Sequence, residues 1–200
     1  MKYAVSVVLR FPSGAAPSKL GWLPSRRAFV SLAFAVAMAG VLMSLGLHIN
    51  LSASAPRGLY RGNVGTPLRG MWVAACVTTD AAAVGLARGY LGPGPCPGGA
   101  EPILKPVVAV SGDVVDLSPH GVAVNGTSLP ESESASVDSN GRPLAHAAWG
   151  RHVVGADELW LVSTRVPNSW DSRYLGPFSM SQVRAIARPM WTLDSPGWRR

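Results

Sequence analysis

Three stretches of the chain carry the residue types that nucleophilic catalysis requires. The first is Ser54-Ala55-Pro56-Arg57-Gly58-Leu59-Tyr60. Ser54 supplies a hydroxyl, and Pro56 with Gly58 two residues on suits a tight, pre-shaped turn that could aim it. A competing reading makes Ala53-Ser54-Ala55 the small-residue site at which a secretory signal peptide is cut. Pro56 weighs against that cut, because a peptide bond into proline has no N–H and a fixed φ.

A serine attacks a carbonyl only when a base takes its proton. Lys105 is the one lysine among residues 50–200, where twelve arginines occupy the other basic positions. It sits inside the apolar run Ile103-Leu104-Lys105-Pro106-Val107-Val108. Desolvating an amine there is costly and favours its neutral form. The alternative is a strand lysine that snorkels to water. The remaining candidate bases are His120, in the turn Pro119-His120-Gly121, and His146 and His152, which have no aspartate placed to orient them. The third stretch, Asn168-Ser169-Trp170-Asp171-Ser172-Arg173-Tyr174-Leu175-Gly176-Pro177, gathers hydroxyls, a carboxylate and a guanidinium in one loop. A serine there can hydrogen-bond a buried amine while an Asp–Arg pair fixes the loop. A purely structural ion pair is the alternative.

The elements that must position these groups follow from composition and patterning. The formal charge is +7, but residues 1–49 hold five basic residues and no acid, whereas residues 50–200 hold thirteen basic against eleven acidic ones. The excess is a tail ahead of an apolar segment, the positive-inside pattern, and not a nucleic-acid-binding face. Residues 28–47 carry no charge. As a helix they span about 30 Å, the thickness of a bilayer core. That is longer than a signal-peptide core of about 7–15 residues, so an uncleaved anchor over residues 28–49 is expected. A buried core helix is the competing reading. Arg26 and Arg27 place its start on the cytoplasmic side, residues 1–27 as a cytoplasmic tail, and residues 50–200 outside.

With 22 glycines and 17 prolines, the outer part predicts many turns and little long helix. Strands are expected at 70–78, 102–110, 114–117, 121–124, 158–164 and 182–192, with Pro189 pushing the last toward a sheet edge. Residues 114–117 and 121–124 form a hairpin, followed by the Asn125-Gly126 turn signal. A short helix is expected at 81–90 and a mobile polar excursion at 130–150. The glycine-rich run 91–99 is not a phosphate loop, because no Lys-Ser/Thr follows it. Cys76 and Cys96 lie outside the cytoplasm in a small turn-rich domain, which predicts a disulfide; two free buried thiols are the alternative.

Taken together, Ser-Ala-Pro-Arg-Gly-Leu-Tyr at 54–60, Leu-Lys-Pro-Val-Val-Ala-Val-Ser-Gly-Asp-Val-Val at 104–115 and Asn-Ser-Trp-Asp-Ser-Arg-Tyr-Leu-Gly-Pro at 168–177 resemble the type I signal peptidases. These are membrane-anchored serine proteases with a Ser/Lys dyad. The compact Ser-x-Pro-x-Gly-Leu-Tyr form and the stretch Arg88 to Gly99, with its Cys-Pro-Gly-Gly, are more similar to the TraF-like branch of conjugative maturation peptidases. The resemblance covers about residues 50–192. It implies a mainly β fold, a signal-peptidase-like antiparallel β domain on a single N-terminal transmembrane helix in the bacterial inner membrane, with a periplasmic catalytic domain. Ser54 matches the nucleophile and Lys105 the general base. Ser52 matches a hydroxyl that joins the Ser54 N–H in an oxyanion hole. Ser169 matches the serine that orients the amine, and Asp171 and Arg173 a supporting pair. No cofactor or metal is implied.

The implied substrate is a precursor polypeptide with small residues at −1 and −3, a pilin precursor in conjugation. Some relatives join the pilin's ends into a ring by aminolysis of an acyl-enzyme. General signal peptidases place two residues between Ser and Pro, where this chain has one, and residues 130–150 are shorter than the large β insertion of many leader peptidases. The competing functions are a general signal peptidase I, a non-catalytic β-domain component of a secretion machine, and a Ser/Lys autoprotease of the repressor type.

Overall fold

The computed structural model describes residues 26–44 and 46–194. The expected tail therefore lies, up to residue 25, outside the described residues. Helix α1 covers Arg26–Ser44. Its described side chains Phe29, Val30, Leu32, Phe34 and Val36 are exposed. Among the described residues no helix is long and apolar enough to cross a membrane. The expected anchor had run to residue 49, yet Leu47–Asn50 forms strand β1, paired with the strand that follows.

The rest is built on two antiparallel sheets. In the larger, the order is β1, β2 (Gly58–Asn63), β11 (Val183–Thr192), β3 (Trp72–Ala75), β4 (Ile103–Ala109), β9 (Glu158–Leu161) and β10 (Phe178–Ser179). In the smaller it is β7 (Thr127–Ser128), β6 (Gly121–Val124), β5 (Val114–Ser118) and β8 (Gly150–Val153). The expected hairpin is β5/β6, with Val115 opposite Val124. Asn125 and Gly126 turn the chain into β7 with φ of 51° and 80°, the left-handed values that this dipeptide tolerates.

Strand β4 joins two apolar cores. Ile103 and Val107 pack with Val73, Leu159, Leu161 and Phe178. Val108 and Ala109 pack with Val115, Leu117, Val122 and Trp160. A strand covered on both faces reads as a nearly continuous apolar run, which is why Lys105 stands out in it. Helix α2 (Thr79–Arg88) begins at Thr78, whose hydroxyl accepts from the Ala81 N–H, and stops at Gly89 with φ of 71°, a left-handed cap open to glycine. A third helix, α3 (Ser172–Leu175), is a single turn.

Two expectations are corrected. β11 is an interior strand between β2 and β3. Its pairing with β3 covers only Val183 to Ile186, and Pro189 lies beyond that, opposite Tyr60 of β2 with a register break before Trp191. The proline's missing donor thus falls where the strand has only one neighbour. The polar excursion at 130–150 is tied down rather than free. Asp138 accepts from the Arg142 guanidinium (2.6 Å) and the Tyr90 hydroxyl (2.5 Å), Arg88 donates to the Pro143 carbonyl (2.8 Å), and the Ala147 N–H donates to the Arg173 carbonyl (2.9 Å).

Candidate active site

The segment between β1 and β2 is irregular, so side chains must fix it. Asn50 does much of this. Its amide nitrogen donates to the carbonyls of Ser52 (3.1 Å), Ala55 (3.3 Å) and Pro56 (3.1 Å), and its Oδ1 accepts from the Ser52 N–H at 3.2 Å. Tyr60, buried, donates to the Pro56 carbonyl at 2.7 Å. Gly58 is required here by close approach: a Cβ on it would lie 2.1 Å from the Trp191 carbonyl oxygen. The turn holds Ser54 at 9% exposure. The Ser54 and Ser52 hydroxyls are 2.9 Å apart, and the Ser54 N–H points at Ser52 Oγ at 3.3 Å. One backbone and one hydroxyl donor therefore stand side by side, the arrangement an oxyanion needs.

Lys105 faces the same space from the middle of β4, opposite Val73 of β3. It is 4% exposed, and its amine donates to Ser169 Oγ at 2.8 Å. Burial pulls the amine from its ordinary value of 10.5 down to about 8; the Asp171 carboxylate opposes this and the Arg173 guanidinium adds to it. An amine at that value is neutral in about a tenth of molecules at pH 7, enough to act as a base. In this structure the Ser54 hydroxyl is paired with Ser52 and the Lys105 amine with Ser169.

Asp171 and Arg173 pair with each other at 2.9 Å, both side chains fully buried. Two buried charges are tolerable only when their remaining hydrogen-bonding capacity is used. Here it is. Asp171 accepts from the Ser163 N–H (3.0 Å) and from the Arg173 N–H (3.2 Å). Arg173 donates to the carbonyls of Glu133 (2.7 Å), Ser163 (3.1 Å) and Ser169 (3.1 Å). Two contributors were not visible in the sequence. Asn50 stood directly after the expected anchor with no motif of its own, and Ser163 read only as part of a strand. The Ser163 hydroxyl donates to the Ser54 carbonyl at 2.5 Å.

Ser52, Ser54, Lys105 and Ser169 line one cleft of about 1020 Å³, whose other walls include Tyr90, Leu91, Leu104 and Trp170. The signal peptidase family (peptidase S26) matches residues 27–191 of this chain. The chain belongs to that family. Among curated relatives, the plasmid transfer protein TraF of Escherichia coli is 35% identical over 163 residues, 79% of this chain and 90% of that protein. The conjugal transfer protein TraF of Agrobacterium tumefaciens is 36% identical over 174 residues, 86% of this chain and 94% of that one. These similarities place this chain in the TraF-like part of that family. A signal peptidase I structure from Enterococcus faecalis covers 62% of this chain and 98% of its own at 19% identity, with a TM-score of 0.36.

The other sequence candidates fall elsewhere in this chain. His146 stacks on Trp149 with ring centroids 3.7 Å apart, and His152 meets Glu158 at 2.7 Å; neither is among the residues lining the cleft. His120 is exposed in the β5/β6 turn. Cys76 and Cys96 form a disulfide with Cα atoms 5.5 Å apart. It ties the glycine- and proline-rich loop to the chain just after β3, and Cys96 itself lines the cleft.

Proposed function

We propose that the chain is a serine endopeptidase that cleaves a precursor polypeptide, with Ser54 as nucleophile and Lys105 as general base. The observation that carries this reading is a lone buried amine, held near 8 and bonded to a neutral hydroxyl, in the same cleft as Ser54. Neutral Lys105 takes the Ser54 proton as Oγ attacks the scissile carbonyl. The Ser54 hydroxyl exchanges its bond to Ser52 for the amine, which frees the Ser52 hydroxyl to join the Ser54 N–H on the oxyanion. Lys105 then gives its proton to the leaving amine, and the acyl-enzyme forms. Water, deprotonated by Lys105, releases the acyl group by the reverse sequence.

The relatives' names, plasmid transfer and conjugal transfer proteins, favour a substrate that serves conjugation, such as a pilin precursor with small residues at −1 and −3. The positive charge before residue 28 and the apolar run after it support an inner-membrane anchor with residues 50–200 in the periplasm.

The test is cleavage of such a precursor by the purified full-length protein. Ser54→Ala, which lacks the hydroxyl, and Lys105→Arg, whose guanidinium does not deprotonate in proteins, are each expected to abolish turnover while the protein stays folded by circular dichroism. Near-normal turnover by either variant removes the dyad. A broad panel of unrelated precursors cut equally well would point to general signal peptidase activity.

A further inference from the structure

The buried Asp171/Arg173 pair holds two serines by their backbones. Asp171 accepts from the Ser163 N–H, and Arg173 donates to the Ser163 and Ser169 carbonyls. Ser169 lines the cleft, and Ser163, behind it, reaches the backbone of Ser54 with its hydroxyl. Ser169 Oγ accepts from the Lys105 amine at 2.8 Å, and the Ser163 hydroxyl donates to the Ser54 carbonyl at 2.5 Å. Ser163 is 1% exposed and Ser169 3%, so both bonds are made where water does not compete and where they are strong.

We propose that Ser163 is a positioning residue for acyl transfer, the counterpart on the nucleophile side of Ser169 on the base side. One ion pair thereby sets the separation of nucleophile and base. The proposal rests on the Ser54/Lys105 reading and adds a residue to it.

The physical reason lies in what else holds the turn. Ser54 lies outside the sheet ladders, between β1 and β2. Asn50 takes the carbonyls of Ser52, Ala55 and Pro56. The Ser54 carbonyl, in the midst of these, goes to Ser163, a residue 109 positions away just past the end of β9. Fixing that carbonyl fixes ψ of Ser54, and with it the direction in which the Cα–Cβ bond carries the hydroxyl. Without it the turn keeps its three Asn50 bonds, and the nucleophile alone loses its orientation.

Kinetics of the full-length protein on a precursor peptide test this. Ser163→Ala removes one oxygen atom and leaves the backbone bonds to Asp171 and Arg173 possible. It is expected to lower kcat by about 10- to 100-fold, the effect of a misplaced reacting group. KM stays near the wild-type value, since only transition-state alignment is lost. The pH midpoint of kcat/KM also stays in place, because Lys105 keeps its surroundings. Ser163→Thr retains the hydroxyl and should keep most of the rate. Wild-type kcat in Ser163→Ala overturns the proposal. So does a displaced pH midpoint, which would place the effect on the base, or a Thr variant that melts normally yet is as slow as the Ala variant. Ser54→Ala and Lys105→Arg are assayed alongside. If those turn over normally, the dyad itself fails; if they are inactive while Ser163→Ala is fast, only the role of Ser163 fails.

Discussion

The Lys105 amine donates to the Ser169 hydroxyl across 2.8 Å, deep in the cleft wall and 4% exposed. A neutral partner accepts this bond, while Asp171, the carboxylate that acts on the amine, is engaged by Arg173 at 2.9 Å. Burial therefore prevails and the amine sits near 8. A base works only in its unprotonated form, so cleavage must rise with pH. We expect kcat/KM to climb about tenfold per pH unit below about 8 and to level off above it, on a single ionisation. A pH–rate profile from about 6 to about 9.5 measures this. A midpoint near the ordinary lysine value, or activity falling as pH rises, would contradict the assignment.

The same depression makes stability depend on pH, and its sign is fixed. The folded value of about 8 lies below the unfolded 10.5. Between the two, the unfolded chain binds a proton that the folded protein does not, so stability rises with pH across that window. Below about 8 both states are protonated and the penalty is constant. Relative to Lys105→Met, which cannot titrate, the wild type should gain stability from about pH 8 to about 10.5. At about 1.4 kcal/mol for each pH unit, the gain is bounded at about 3 kcal/mol. Denaturant unfolding of both proteins across that range reads it directly; a constant difference between them would show that Lys105 is not desolvated.

Much of the candidate site was legible because its parts are local in the chain. Ser54 in its turn, Lys105 in an apolar strand and the Asp171/Arg173 loop each announce themselves within a few residues. Ser163 does not, since its partner Ser54 is 109 residues away and a serine ending a strand is unremarked. Asn50 carried no signal of its own, since hydropathy ran the anchor up to residue 49, over residues that pair as the start of β1. The position of β11 was misread for a different reason. A proline forbids pairing only at its own nitrogen, and β3 is short enough to end before reaching Pro189. The excursion at 130–150 was read as mobile from its polarity, yet Asp138, Arg142, Tyr90 and Arg88 satisfy one another there.

The disulfide should be a stabilising element with a local effect on the cleft. Cys76 and Cys96 close a loop of 20 residues that contains α2 and the cleft residues Tyr90 and Leu91. Replacing both cysteines by alanine is expected to cost about 2–4 kcal/mol in denaturant unfolding. Dithiothreitol should lower the wild type by a similar amount and leave the variant unchanged. Peptide mapping without reduction should recover the two cysteines linked. Recovery of both as free thiols, or a reductant effect equal in the two proteins, would dismiss the bond.

Asn50 offers a test of the turn that leaves size and shape almost unchanged. Its amide nitrogen faces three carbonyl oxygens, those of Ser52, Ala55 and Pro56, at 3.1 to 3.3 Å. Asn50→Asp puts a carboxylate oxygen where that donor stood, so three attractions become three repulsions. Asn50→Ala only deletes them. A truncation that merely weakened packing would make alanine the worse substitution, because it removes more atoms. If instead the donor fixes the turn, aspartate must be the worse of the two. We expect Asn50→Ala to lower kcat by about tenfold and Asn50→Asp by about 100-fold or more, in line with a nucleophile displaced by a fraction of an ångström to an ångström. Both should melt within a few degrees of the wild type, since Asn50 is only half-buried near the sheet edge. Initial-rate kinetics with the same precursor peptide decide the order, and an aspartate variant faster than the alanine variant would show that the turn holds Ser54 without Asn50.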